Sequence, residues 1–105
     1  MMAVADRTLA LDEEMDPDEI IRVGGGSDPS AVASAISNAF YERREVVLRA
    51  VGASAVNQAN KSIAIARGYI APRGYDLYCR QGFANVPGRD GKESISAMVF
   101  RLSLQ

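Results

Sequence analysis

Residues 51–72, VGASAVNQANKSIAIARGYIAP, decide how this chain is read. They leave a valine-rich run, pass through a Gly-Ala-Ser turn, continue for about five helical turns without a breaker and stop at Pro72. Wrapped at the helical angle, Val56, Ala59, Ile63, Ala66 and Ile70 align as one apolar stripe. Ala55, Ser62, Ile65 and Tyr69 form a second stripe beside it, so roughly half the circumference is apolar or small. Asn57, Asn60, Lys61, Ala64, Arg67 and Gly68 fill the remaining arc as a ridge of amides and cations. A helix lying on a sheet needs one stripe. Two stripes imply a second partner, either another helix of the same chain or another subunit. Ile65 and Tyr69 are the expected contacts of a homodimer, because an exposed apolar patch on a small domain favours association.

The flanks of this helix supply the rest of the fold. Residues 45–51, EVVLRAV, are a β-branched run between two helical patterns, and residues 20–23 form a shorter apolar run. Between them Gly24-Gly25-Gly26-Ser27-Asp28-Pro29 leads into a helix, with Ser27 or Asp28 as cap and Pro29 at the first helical position. Val32, Ile36, Ala39 and Phe40 give that helix a core face, and it is expected to end near Arg43-Arg44. Strand, helix, strand in this order favours parallel pairing of the two strands. After Pro72, residues 74–83 alternate, with Tyr75, Leu77 and Cys79 on one face and Asp76, Tyr78 and Arg80 on the other. Residues 84–93 hold Pro-Gly and Asp-Gly turn signals, and 94–104 are a last strand with Ile95, Ala97, Val99 and Arg101 opposing Met98, Phe100 and Leu102. The predicted architecture is an α+β two-layer βαβαββ fold, with two helices on one face of a four-stranded mixed sheet. Its expected extent is residues 20–105, preceded by an acidic tail at 1–19 that is expected to lack stable structure.

A chain of 105 residues, 48% hydrophobic, fits one small domain, and at this size subunit association is a useful further source of stability. No apolar run approaches the roughly 20 residues that a membrane span needs, and no basic-then-apolar leader marks secretion. One cysteine forms no internal disulfide, which suits a reducing cytoplasm, with association to the nucleoid compatible. The net charge of −1 conceals an asymmetry. Residues 1–20 hold seven acids and Arg7, for a charge of −6, while residues 21–105 hold eleven bases and six acids, for +5. A basic domain behind an acidic arm suits a nucleic-acid binder with a self-competing tail; a solubilising leader on an ordinary domain gives the same balance.

The absence of histidine removes the commonest general base and the commonest metal ligand. Serine and cysteine nucleophiles of the His-assisted kind are therefore excluded. Cys79 stands alone in an alternating strand, where a small buried hydrophobe is expected. The tail acids lie in a segment unsuited to holding catalytic geometry. No catalytic residues, cofactor, metal or small-molecule substrate are expected. The glycine-rich turn 24–27 can cradle a phosphate with backbone N–H groups, or simply join strand to helix; it lacks the lysine of a P-loop, and Asp28 repels an anion there. Asn57 and Gln58 suit either ligand contact or structural hydrogen bonding. Arg67, Tyr69, Arg73, Tyr75, Tyr78, Arg80 and Phe83 interleave bases with aromatics, which serves either stacking and phosphate pairing or a core edge with a solvated rim.

The run GASAVNQANKSIAIARGYIAP, followed by RGYDLYC, resembles the stage V sporulation protein S family, and more distantly the Alba chromatin proteins. The resemblance spans about residues 20–104. It implies an Alba-like fold and a role in binding nucleic acid, DNA or RNA. In Alba proteins the turn matching residues 24–28 carries lysines, the turn matching 52–54 carries arginine, and the last hairpin reaches along the minor groove. Here Ser27-Asp28 and Ala53-Ser54 occupy those turns. The expected nucleic-acid contacts therefore move to Asn57, Lys61 and Arg67 on the helix ridge, to Arg73 and Arg80 after it, and to Arg89 and Lys92 on the hairpin. The alternative is a protein–protein regulatory module that recruits partners without nucleic acid.

Overall fold

The computed structural model describes residues 16, 19–88, 91 and 93–105. Among these residues the chain runs β1 (Ile21–Val23), α1 (Pro29–Ala39), β2 (Glu45–Ala50), α2 (Ala53–Ile70), a 3-10 turn (Ala71–Arg73), β3 (Leu77–Pro87) and β4 (Ser94–Leu104). The strands form one sheet in the order β1-β2-β4-β3. β1 and β2 are parallel, with Ile21 opposite Leu48 and Val23 opposite Ala50. β4 runs antiparallel to both of its neighbours, and its hairpin with β3 is paired from Leu77–Leu104 to Pro87–Ser94. The predicted βαβαββ order and the single helical layer are both present.

The core lies between that layer and one face of the sheet. Val23, Val46, Leu48, Phe100, Leu102 and Leu77 meet Ala33, Ile36 and Phe40 of α1 and Ala55, Ala59, Ala66 and Ile70 of α2. On α1, Asp28 is the cap: its carboxylate accepts from the Ser30 N–H at 3.2 Å, and Pro29 takes the first helical position. The helix ends at Ala39, earlier than the expected end near Arg43-Arg44. Phe40 turns into the core, and the N–H groups of Tyr41 and Glu42 bond three residues back, as in a tightening last turn.

α2 starts from a Gly52 cap at φ 90°, where L side chains are strained, and no side chain caps the turn. One expectation for this helix needs correction. Its deeply buried row is Ala55, Ala59, Ser62, Ala66 and Ile70, drawn from both predicted stripes, while Val56, Ile63 and Ile65 are only partly buried. Small side chains at 55, 59, 62 and 66 let the helix lie close to its neighbours. The buried Ser62 hydroxyl is satisfied within the helix, donating to the Gln58 carbonyl at 2.7 Å. α1 packs alongside α2.

Register sorts the remaining side chains onto the sheet face opposite α1 and α2, the helix-free face, which carries no helix among the described residues. Arg22, Glu45, Val47, Arg49, Tyr78, Arg80, Ala84, Ala97, Val99 and Arg101 all point there. Arg80 stands directly opposite Arg101, a like-charge pairing that alone disfavours the ladder. Glu45 offsets it: its carboxylate accepts from Nε and Nη2 of Arg101, the latter at 2.8 Å, and lies 3.7 Å from Arg80. The Arg101 hydrogen bond is the main cause that lowers the Glu45 pKa below the ordinary glutamate range, against a smaller desolvation effect. A carboxylate depressed in the folded state contributes stability above its unfolded pKa and loses it as pH falls through the folded value. Glu45→Gln is therefore expected to lower the urea midpoint at neutral pH and to converge with the parent on acidification. Parallel curves at all pH values would remove Glu45 from the acid response.

Candidate nucleic-acid interface

The strand-to-helix turns after β1 and β2 lie side by side. A Cβ on Gly25 would come within 3.0 Å of the Ser54 Cβ, so the first turn passes the second at glycine-only distance. The Gln58 amide donates to the Ser27 carbonyl at 3.0 Å and ties them together. Ser27 in turn accepts from the Gly24 N–H through its hydroxyl at 2.9 Å. Gln58 is thus structural, which answers half of the open question about the amide pair. Asn57 is exposed on the first turn of α2.

From Asn57 the ridge continues along α2. Asn60, Lys61, Ala64, Arg67 and Gly68 are all exposed, as the helical wheel implied. Asn57 and Lys61, one turn apart, share a line on its surface. Arg67 stands further down and is held by Asp76, Nη2 to Oδ1 at 2.8 Å; both side chains are largely in solvent, so this pair is weak and exchangeable. Amide and ammonium groups on an open helix face can donate to phosphate oxygens without rearranging the core.

The other expected contacts scatter. Arg73 is half-buried, donates to the Ser37 carbonyl at 3.1 Å near the end of α1, and stacks on the Tyr41 ring at 4.0 Å from its centroid. With Arg43, Arg44, Phe40, Tyr75 and Leu104 it lines a cleft of about 440 Å³ beneath the helix C-termini. Cations there complement the negative ends of both helices. Arg80 is on the helix-free face, across the sheet from the α2 ridge. Arg89 and Lys92 lie outside the described residues. The hairpin that carries them is longer in pairing than expected: Asn85, Val86 and Pro87 are strand, opposite Ser96, Ile95 and Ser94, so the connecting turn is confined to 88–93.

Ile65 and Tyr69 sit on the flank of α2. Ile65 packs against the core edge, while Tyr69 is 45% exposed. On the helix-bearing side of β3, Cys79, Gln81 and Phe83 are exposed, with Phe83 at 52%. Cys79 is therefore not the buried hydrophobe that alternation suggested. Its strand is the sheet edge, beyond the β1–β2 half on which α2 mainly rests. Desolvation raises the Cys79 thiol pKa, with a Gln81 hydrogen bond acting the other way, so the thiolate is disfavoured. Among the described residues no group of three His, Cys, Asp or Glu side chains gathers to hold a metal. No helix among them is long and apolar enough to cross a membrane.

The sequence reading missed the arginines of the helix-free face. Arg22, Arg49 and Arg101 join Arg80 there, and the alternation of 94–104 had already set Arg101 apart from the core residues. The signal was present but spread over four strands.

Two paired βα units closed by a β-hairpin define an Alba-like fold. A solved structure, Alba from Thermoplasma volcanium, superimposes with a TM-score of 0.57 at 21% identity, covering 80% of this chain and 98% of that one. The family is narrower. The model of the Stage V sporulation protein S (SpoVS) family matches residues 19–105, and the chain belongs to that family.

Proposed function

We propose that the protein is a non-enzymatic regulator that binds DNA or RNA as a homodimer, mainly through phosphates. The observation that carries this reading is the open ridge Asn57, Asn60, Lys61 and Arg67, set beside two abutting strand-to-helix turns on an Alba-like fold. Arg73 and Arg80 add cations away from this ridge, near the helix C-termini and on the opposite sheet face, and Arg89 and Lys92 add two more in the stretch between β3 and β4. Twofold symmetry repeats these positions, so a modest charge per subunit becomes a longer basic track. Contacts of this kind position a duplex and read little sequence.

The test is a fluorescence-anisotropy titration of labelled duplex DNA and single-stranded RNA at low salt. Saturable binding of either supports the reading. Binding of neither replaces it with a protein-recruitment module, for which Tyr69, Tyr75 and Phe83 provide exposed aromatic anchors.

The acidic leader enters the same experiment. Its charge opposes that of the domain, so removing residues 1–18 is expected to raise nucleic-acid affinity at low salt, with the gain fading as salt screens the interaction. Equal affinities for the full and shortened chains would make the leader a passive extension.

A further inference from the structure

The cleft beneath the helix C-termini holds positive charge that the fold does not use up. Its lining of Phe40, Arg43, Arg44, Arg73, Tyr75 and Leu104 encloses about 440 Å³ and contains three arginines and no acid. Small-molecule sites commonly occupy about 300–1,000 Å³. The acids closest in the chain are directed elsewhere. Glu19 pairs with Arg43 at 3.6 Å. Glu42 lines a separate groove beside Ile20 and Ala35. Glu45, which follows Arg44, points to the helix-free face, where Arg101 and Arg80 hold it. Asp76, which follows Tyr75, is taken by Arg67 at 2.8 Å.

Two of the three arginines keep their charge. Arg73 is positioned on one edge only: Nη1 donates to the Ser37 carbonyl at 3.1 Å, and the guanidinium stacks on Tyr41. Both partners are neutral, and Nε and Nη2 of Arg73 make no hydrogen bond among the described residues. A planar guanidinium fixed on one side presents its remaining donors with little entropy left to lose. Arg44 is exposed and has no ion pair among the described residues. The two helix ends bring about half a negative charge each, which together with Glu19 still leaves a positive excess. Beside these cations the Tyr75 ring is 49% exposed, so an open aromatic face adjoins the unused donors.

We propose that this cleft binds a nucleoside monophosphate unit, free or at the 5′ end of a strand, with its phosphate on Arg44 and Arg73 and its base against Tyr75. A phosphomonoester carries about −1.5 to −2 charges at neutral pH and three acceptor oxygens, which two arginines match by forked hydrogen bonds. A phosphodiester within a strand carries one charge and fewer free oxygens, so the cleft favours a terminal phosphate. Every base has a flat π-face, so stacking on a tyrosine adds affinity without selecting sequence. The α2 ridge lies elsewhere and meets phosphates along a backbone. The cleft therefore stands as a site whether or not that ridge binds nucleic acid.

The test is a titration of the full-length ¹⁵N-labelled protein, followed by amide and arginine side-chain shifts. The probes are adenosine 5′-monophosphate, adenosine, inorganic phosphate, and one dinucleotide with and without a 5′-phosphate. The monophosphate is expected to saturate below about 1 mM, with the largest shifts at Arg44, Arg73 and Tyr75. Inorganic phosphate should move the arginines more weakly, and adenosine should leave them unmoved. Arg44→Glu, at an exposed position, should weaken the monophosphate by about tenfold or more. Tyr75→Leu should reduce it to the affinity of inorganic phosphate. A phosphorylated dinucleotide that binds more tightly than the monophosphate assigns the cleft to strand ends, and one that binds less tightly assigns it to free nucleotides; both uphold the site. Four results overturn it: no saturable response to any phosphorylated probe, shifts centred on Asn57 and Lys61, a folded Arg44→Glu variant that binds as the parent does, or equal binding of the dinucleotide with and without its phosphate.

Discussion

Tyr69→Glu combined with Phe83→Glu will convert the protein from a dimer to a folded monomer in light scattering at micromolar concentration. Each side chain is about half exposed in the isolated chain, Tyr69 on the flank of α2 and Phe83 on the uncovered part of β3, so both retain apolar surface to bury. Ile65, partly buried beside Tyr69, extends the patch toward the core. In a twofold interface every substitution acts twice. If each truncated anchor is worth about 2 kcal/mol, either substitution alone costs about 4 kcal/mol per dimer, or roughly a thousandfold in dissociation constant, and the pair together more, with a buried unpaired glutamate adding to that. The monomer keeps its fold, because neither residue belongs to the buried core. A parent protein that is already monomeric would defeat the prediction, as would a double variant that stays dimeric.

The second large effect concerns the hairpin. Arg89→Ala with Lys92→Ala is expected to weaken binding to duplex DNA and to flatten the log–log salt dependence by roughly two units per engaged hairpin, since each phosphate contact contributes about 0.9 to that slope. Stability should be unchanged, because the described β3–β4 ladder ends at Pro87–Ser94, short of both positions in the sequence. A folded double variant with unchanged affinity and slope removes the hairpin from the site and leaves the α2 ridge to carry binding alone.

Much of the fold was legible because the apolar period changes cleanly along the chain. Residues 94–104 alternate and form β4 over the same span, and the helical repeat after Gly52 forms α2. Ends were less legible. Tyr41-Glu42-Arg43-Arg44 has ordinary helical propensity, yet the helix stops where Phe40 is drawn into the core, a tertiary effect. Pro87-Gly88 signals a turn, yet Pro87 is paired, because β3 is an edge strand where a missing N–H is tolerated.

Cys79 shows what alternation cannot supply. It fixes which residues share a face, but whether a helix lies over them depends on strand order, and β1-β2-β4-β3 places β3 at the edge. The candidate site follows the same rule. Asn57, Lys61 and Arg67 are neighbours on one helix, so local period sufficed to group them. Arg22, Arg49, Arg80 and Arg101 come together only through pairing across four strands, and Arg73 is taken up by Ser37 and Tyr41 from the other helix's end.

Phosphate-dominated binding by a protein whose strand-to-helix turns carry no basic side chain is tested most directly by the dissociation constant of the full-length chain for duplex DNA and for single-stranded RNA, from about 50 to about 200 mM salt. The account predicts measurable binding to at least one of them at the low end and a steep linear fall in log affinity against log salt, equivalent to several phosphates per dimer. No binding at the lowest salt, or affinity that does not change with salt, would contradict it.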